Sequence, residues 1–148
     1  MQDSGRAELS LIFSRQWLGP DGRLPPNCPL RDLPFTSFAW PENPVERSWK
    51  LLGIPWMDAS IPPGTDWIYC PMETLFPTRA RRRIAITLHD VHPFEPDLPW
   101  RNPREHAWQR WKWGRWVRRA IASCEVVFTV SEFSKRRMVE LLGAPAAK

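Results

Sequence analysis

Apolar and polar positions fall into ordered blocks in the second half of the chain. Ile84-Ala85-Ile86-Thr87-Leu88 is a short β-prone run that ends at His89-Asp90, and Glu125 to Val130 is a second such run, bounded by Ser131. Between them, residues 102–123 read as a helix with Pro103 suited to its first turn. Residues 132–142 form another helical block, closed by Gly143 and Pro145 as stop signals. Upstream, Asp66-Trp67-Ile68-Tyr69-Cys70 predicts a strand halted by Pro71, Leu9 to Phe13 another, and Glu46 to Leu52 a short helix ended by Gly53. Strands apolar throughout that alternate with helices predict an α/β fold, a Rossmann-like parallel sheet covered on both faces.

Composition changes this picture in the first 65 residues. Most of the 17 prolines lie in the first two-thirds of the chain, and they predict long ordered loops with little regular structure between residues 19 and 65. The expected organisation is therefore a loop-rich part over 1–65 and a Rossmann-like βα core over 66–148. Hydrophobic residues at 43% and charged residues at 25% suit a globular chain with a core of its own. Cys28, Cys70 and Cys124 have neither the spacing of a disulfide framework nor that of a zinc cluster. No signal-peptide pattern opens the sequence and no uncharged run approaches membrane-spanning length, so the expected setting is cytoplasmic. The net charge of +5 favours anionic partners without choosing among phosphate groups, nucleic acid and acidic lipid.

Candidate chemistry collects at the strand ends, where open parallel sheets bind their ligands. Three of them carry polar residues: Pro71-Met72-Glu73, His89-Asp90-Val91-His92 and Ser131-Glu132-Phe133-Ser134. Ser131 reads either as a helix N-cap or, with Ser134 and the free amides of the helix start, as one wall of an anion site. His89 reads either as a satisfied interior histidine or as a donor to a sugar hydroxyl or carbonyl, with Asp90 orienting it or closing a turn. His89, Asp90 and His92 are metal-ligand types, but only His106, Glu95 and Asp97 stand nearby to complete a set, so no metal is expected.

Residues 108–124 combine aromatic and basic side chains. At roughly 100° per residue, Trp113, Trp116, Val117, Ala120, Ile121 and Cys124 share a face expected to pack on the sheet. Lys112, Arg115, Arg118 and Arg119 group opposite, with Trp108 and Trp111 among them. That second face is either solvated or an interface for anionic headgroups. Neither an RNA-recognition signature nor a DNA-binding helix pair is present, and nucleic acid is not the expected partner.

Taken in order, DWIYCPMETLFP, IAITLHDVHPF and CEVVFTVSEFSKRRMVELLG resemble the amino-terminal domain of family-four, group-one glycosyltransferases of the GT-B fold. The resemblance covers residues 66–145. It implies a retaining, metal-independent transferase, without a cofactor, that moves a sugar from a nucleotide-sugar donor to a glycan or lipid-linked acceptor. It implies His89 and Asp90 as the catalytic pair, and Ser131, Glu132, Ser134 and Glu73 as the donor and cleft residues. It also implies that Trp108, Trp111, Lys112, Arg115 and Arg119 meet an anionic membrane, which would put the protein on the inner face of that membrane. The chain departs from the family pattern in two ways: no strand with a glycine-rich loop precedes Leu9, and the carboxyl-terminal donor domain is absent. Glu132 and Glu140 have the spacing of the family's Glu-x7-Glu motif but lie on a helix of the wrong domain. The 148 residues are therefore expected to form the acceptor side of a cleft and, alone, to be inactive. Two alternatives are a non-catalytic membrane- or acceptor-binding remnant and a metal-dependent polysaccharide deacetylase, for which ITLHDVHP is the only support.

Overall fold

The computed structural model describes residues 7–79, 83–89, 91–96 and 102–147. Its centre is a three-stranded, fully parallel sheet in the order β3-β4-β5, formed by β3 (Trp67–Cys70), β4 (Arg83–Leu88) and β5 (Val126–Thr129). Isoleucine, valine, threonine and aromatic residues fit this pleated surface. Ile86 of β4 lies between Cys70 of β3 and Val127 of β5, and Thr87 lies beside Phe128. Parallel pairing requires a crossover, which helix α2 (Pro103–Ser123) supplies between β4 and β5. Asn102 caps α2 by accepting from the Arg104 amide at 3.0 Å, and Pro103 follows at the first helical position, where no amide is needed.

Helix α3 (Glu132–Leu142) ends at Gly143, whose φ of 66° is the left-handed conformation that glycine adopts without a Cβ clash. Helix α1 (Glu42–Leu51) begins one turn before the expected start. Pro44 falls in its first turn, where a missing N–H breaks no helical bond. A second, two-stranded parallel sheet pairs β1 (Leu11–Ser14) with β2 (Phe35–Phe38). Strand β2 lies in the proline-rich stretch that the sequence predicts to be loop. Phe35-Thr36-Ser37-Phe38 is too short and too polar at its centre to register as a β run.

One core joins the two parts of the chain. Phe38, Val45 and Trp49 from the first 65 residues pack with Ile68, Cys70, Ile84, Ile86 and Leu88 of the sheet, and with Trp116, Ala120, Ile121 and Met138 of α2 and α3. All three helices thus contribute to one side of the sheet. The expectation of a sheet covered on both faces is corrected by the other side, where Trp67, Tyr69 and Phe128 are 43%, 57% and 51% exposed. There the aromatic side chains close over the small residues of the central strand. Tyr69 and Phe128 meet edge to face at 5.9 Å, and the Tyr69 hydroxyl lies 2.8 Å from the Thr87 hydroxyl, so Ala85 and Thr87 are buried on this open face.

Candidate functional site at the strand ends

Because β3, β4 and β5 are parallel, the residues that follow them share one edge of the sheet. The ends of β3 and β4 are tied together through His89. Its backbone N–H donates to Glu73 Oε1 at 3.1 Å, and its ring Nε2 lies 3.0 Å from the Pro71 carbonyl oxygen. A carbonyl can only accept, so this bond places the proton on Nε2 and leaves Nδ1 as the acceptor of the neutral ring. His89 is exposed at the surface, not a satisfied interior histidine. Asp90, assigned with it as catalytic, lies outside the described residues, as does Asp97.

Beside this junction is a hollow of about 220 Å³. Glu73, His92 and Gln109 give it a polar rim, and Phe94, Trp113 and Val117 give it apolar walls. Three of these residues come from one stripe of α2, because Gln109, Trp113 and Val117 recur every four residues and so point the same way. His106 continues the stripe one turn earlier. It is 7% exposed, and its Nε2 has no partner among the described residues.

The third strand end is built differently. Ser131 caps α3: its hydroxyl oxygen accepts from the Ser134 amide at 3.1 Å and its hydroxyl donates to Ser134 Oγ, also at 3.1 Å. Ser134 is buried, and Glu132 stands exposed at the first helical position. The two serine hydroxyls therefore serve the helix start first, and the side chain this end turns to solvent beside Ser131 is a carboxylate.

An ion pair missed in the sequence fixes the rim. Glu95 follows the short turn His92–Phe94 and receives both the Nε and an Nη of Arg137 on α3, the Nε at 2.7 Å. The Arg137 guanidinium holds the Glu95 carboxyl below the usual carboxylate range, and Glu95 and Glu140 together raise Arg137. The partners stand 42 positions apart, and nothing local in the sequence announces such a pairing. Among the described residues no three histidine, cysteine or acidic side chains gather as metal ligands would.

On the far side of α2, Trp108 and Trp111 are each 60% exposed and stack on one another with ring centroids 5.1 Å apart. Lys112 and Arg115 are exposed beside them. Arg119 is exposed as well, but its guanidinium reaches back to the end of α1, where it occupies the space a side chain at Gly53 would need. The sites named from the sequence thus separate into a strand-edge group and an α2 outer-face group, with the helix between them. No family model, no curated protein and no solved structure matches the chain.

Proposed function

We propose that the strand edge is the acceptor side of a glycosyl-transfer cleft. The observation that carries this reading is the His89 junction: a surface histidine, its ring bonded to the Pro71 carbonyl and its backbone to Glu73, next to a hollow with both polar and aromatic walls that Glu73 lines. Sugars are bound by that combination, hydroxyls to carboxylate and amide groups and the apolar ring face to an indole. In this reading Glu73 and Gln109 hold acceptor hydroxyls and Trp113 supports the ring. His89 faces the donor sugar, with Asp90 as its assigned catalytic partner, and Ser131, Glu132 and Ser134 border the donor's side of the cleft. A second Rossmann-like domain holds the nucleotide. The acceptor oxygen bonds to the anomeric carbon as the bond to the donor phosphate breaks, and the hydroxyl proton leaves with the phosphate. The fold supports the coarser part of this reading, a mixed α/β chain with parallel sheets.

The test is a titration of the 148-residue chain with a panel of methyl glycosides, followed by backbone and indole NMR shifts. The expected result is saturable shifts at Glu73, His89 and Trp113 for some of the panel, weakened by Glu73→Gln and by Gln109→Ala. Uridine-diphosphate and guanosine-diphosphate sugars added with the bound glycoside are expected to give no transfer product from this chain. A flat response to every glycoside, or binding indifferent to both substitutions, overturns the acceptor assignment. Product formed by this chain and abolished by His89→Ala overturns the division of labour between two domains.

A further inference from the structure

Glu73 stands apart from the other half-buried carboxylates of the chain. An ionised carboxylate has about four acceptor positions, and the others use them on a cation or on more than one donor. Glu46 pairs with Lys50, and Glu95 with Arg137. Glu42 accepts from the side chains of Gln16 and Trp17, and Asp58 from the Thr78 hydroxyl and the Arg79 amide. Glu73 is half-buried as well, yet among the described residues its hydrogen-bond donor is a single N–H, that of the His89 backbone at 3.1 Å. The chain is not short of cations, since its 21 lysines and arginines outnumber 16 aspartates and glutamates. Among the described residues, none of those cations lines the hollow.

A partly desolvated carboxylate without a counter-charge is costly, and the cost falls when a ligand supplies donors and positive charge. The surroundings keep the same sign. Glu105 accepts from Gln109 of the rim at 3.5 Å and adds a second negative charge, and the lining's one base, His92, lies within electrostatic reach of Glu95. The apolar walls agree with this. Phe94 and Trp113 offer aromatic faces, which attract a cation and repel an anion. An ammonium group brings three donors and one positive charge. A ligand carboxylate or phosphate at the same place would set a second anion against Glu73.

We infer that Glu73 determines the specificity of the hollow, and that the sugar it selects carries a protonated amino group. Neutral sugars bind there more weakly, and uronic acids are turned away. This rests on the hollow being the acceptor subsite: the ammonium donates to Glu73 while the sugar ring lies against Trp113.

Three ligands of one size test it: the methyl glycosides of glucose, of its terminal aminodeoxy analogue and of glucuronic acid. They differ at one carbon, which carries a hydroxyl, an ammonium or a carboxylate. Each is titrated into the 148-residue chain at neutral pH and followed by calorimetry and indole NMR shifts. A charge-assisted hydrogen bond is roughly twice as strong as a neutral one, so the amine should bind about five- to tenfold tighter than the glucoside. The glucuronide should bind most weakly. Glu73→Gln keeps the shape and an amide oxygen for the His89 N–H, and its effect should cross over, weakening the amine and strengthening the glucuronide. A merely structural role for Glu73 would move all three the same way. Glu125→Gln loses the same charge just before β5, at the opposite end of the strands, and should leave the preference unchanged. Equal affinity for the three ligands overturns the inference and leaves the acceptor subsite standing, as does a parallel loss of all three in Glu73→Gln. An equal effect of Glu125→Gln overturns it too, because the preference would then belong to the overall charge. If none of the three binds, the acceptor reading falls and the inference falls with it.

Discussion

Helix α2 carries two tryptophan pairs, each with its members three residues apart, and they live in opposite surroundings. Trp113 and Trp116 meet edge to face at 5.8 Å, with Trp116 only 6% exposed in the core and Lys50 of α1 above both rings. Trp108 and Trp111 stack in solvent at 5.1 Å, each 60% exposed. Residue type and spacing are the same; rotation about the helix axis alone separates them. A tryptophan-rich composition therefore says nothing of role until each ring is assigned to a face. The inner pair holds the helix to the molecule, and the outer pair is free to meet something else.

The largest effect that breaks or sharpens this contrast is on stability. Trp116→Ala removes a core ring and leaves a cavity, and should cost about 3–5 kcal/mol. Trp111→Ala should stay within about 0.5 kcal/mol of wild type, as surface changes do. Urea unfolding of the two variants decides it. Comparable losses would mean that the outer pair is structural after all.

How far this was readable in advance differs between the two faces and the strand edge. The inner stripe of α2 follows from 3.6-residue periodicity, and Trp116, Val117, Ala120, Ile121 and Cys124 are all buried where the wheel puts them. The strands β3, β4 and β5 were visible because their apolar runs are bounded by proline or by polar strand ends. Strand β2 was hidden because its pairing with β1 is not local: β1 was visible as an apolar run, but Phe35–Phe38 does not stand out alone and is held by a partner twenty-four positions earlier. The site was legible as a set of strand ends but not as a cavity. His89 was found from its position after β4. Gln109 and Trp113 enter the hollow only because α2 crosses back over that edge, and Glu95 reaches Arg137 only through tertiary packing. The open sheet face escaped a rule that assumes helices on both sides, because every described helix contributes to the same core.

A second test works on the inner side through pH. Glu95 anchors the turn that lies against α2, and its carboxyl is held below the ordinary range by Arg137. The folded form therefore binds this proton less tightly than the unfolded chain does. The stabilisation is complete above the ordinary glutamate pKa of about 4.3 and is lost as pH falls through the lowered folded value. Urea midpoints measured from pH 6 to pH 3 should decline less steeply for Glu95→Gln than for wild type. Arg115→Gln, on the outer face, should leave that slope unchanged. An identical decline in Glu95→Gln and wild type would remove the clasp from the account of what fixes the rim.

The smallest effect is the most discriminating. Lys50 Nζ lies 5.6 Å and 5.7 Å from the Trp113 and Trp116 ring centroids and pairs with Glu46 at 3.7 Å. Lys50→Met keeps the apolar stem and loses the charge, removing a cation–π contact of about 0.5–1 kcal/mol and an i,i+4 ion pair of about 0.3–0.5 kcal/mol. Glu46→Gln removes the ion pair and keeps an amide oxygen to accept from the Thr74 hydroxyl, so the difference between the two variants reports chiefly the aromatic contact. In a double-mutant cycle, Lys50→Met should couple to Trp113→Leu by about 0.5 kcal/mol, the size expected of contacting residues. The same cycle with Trp111→Leu should give no coupling, since that ring is on the opposite side of α2. Coupling to Trp111 would mean that Lys50 also reaches the outer tryptophan pair, and the two pairs would no longer be separate.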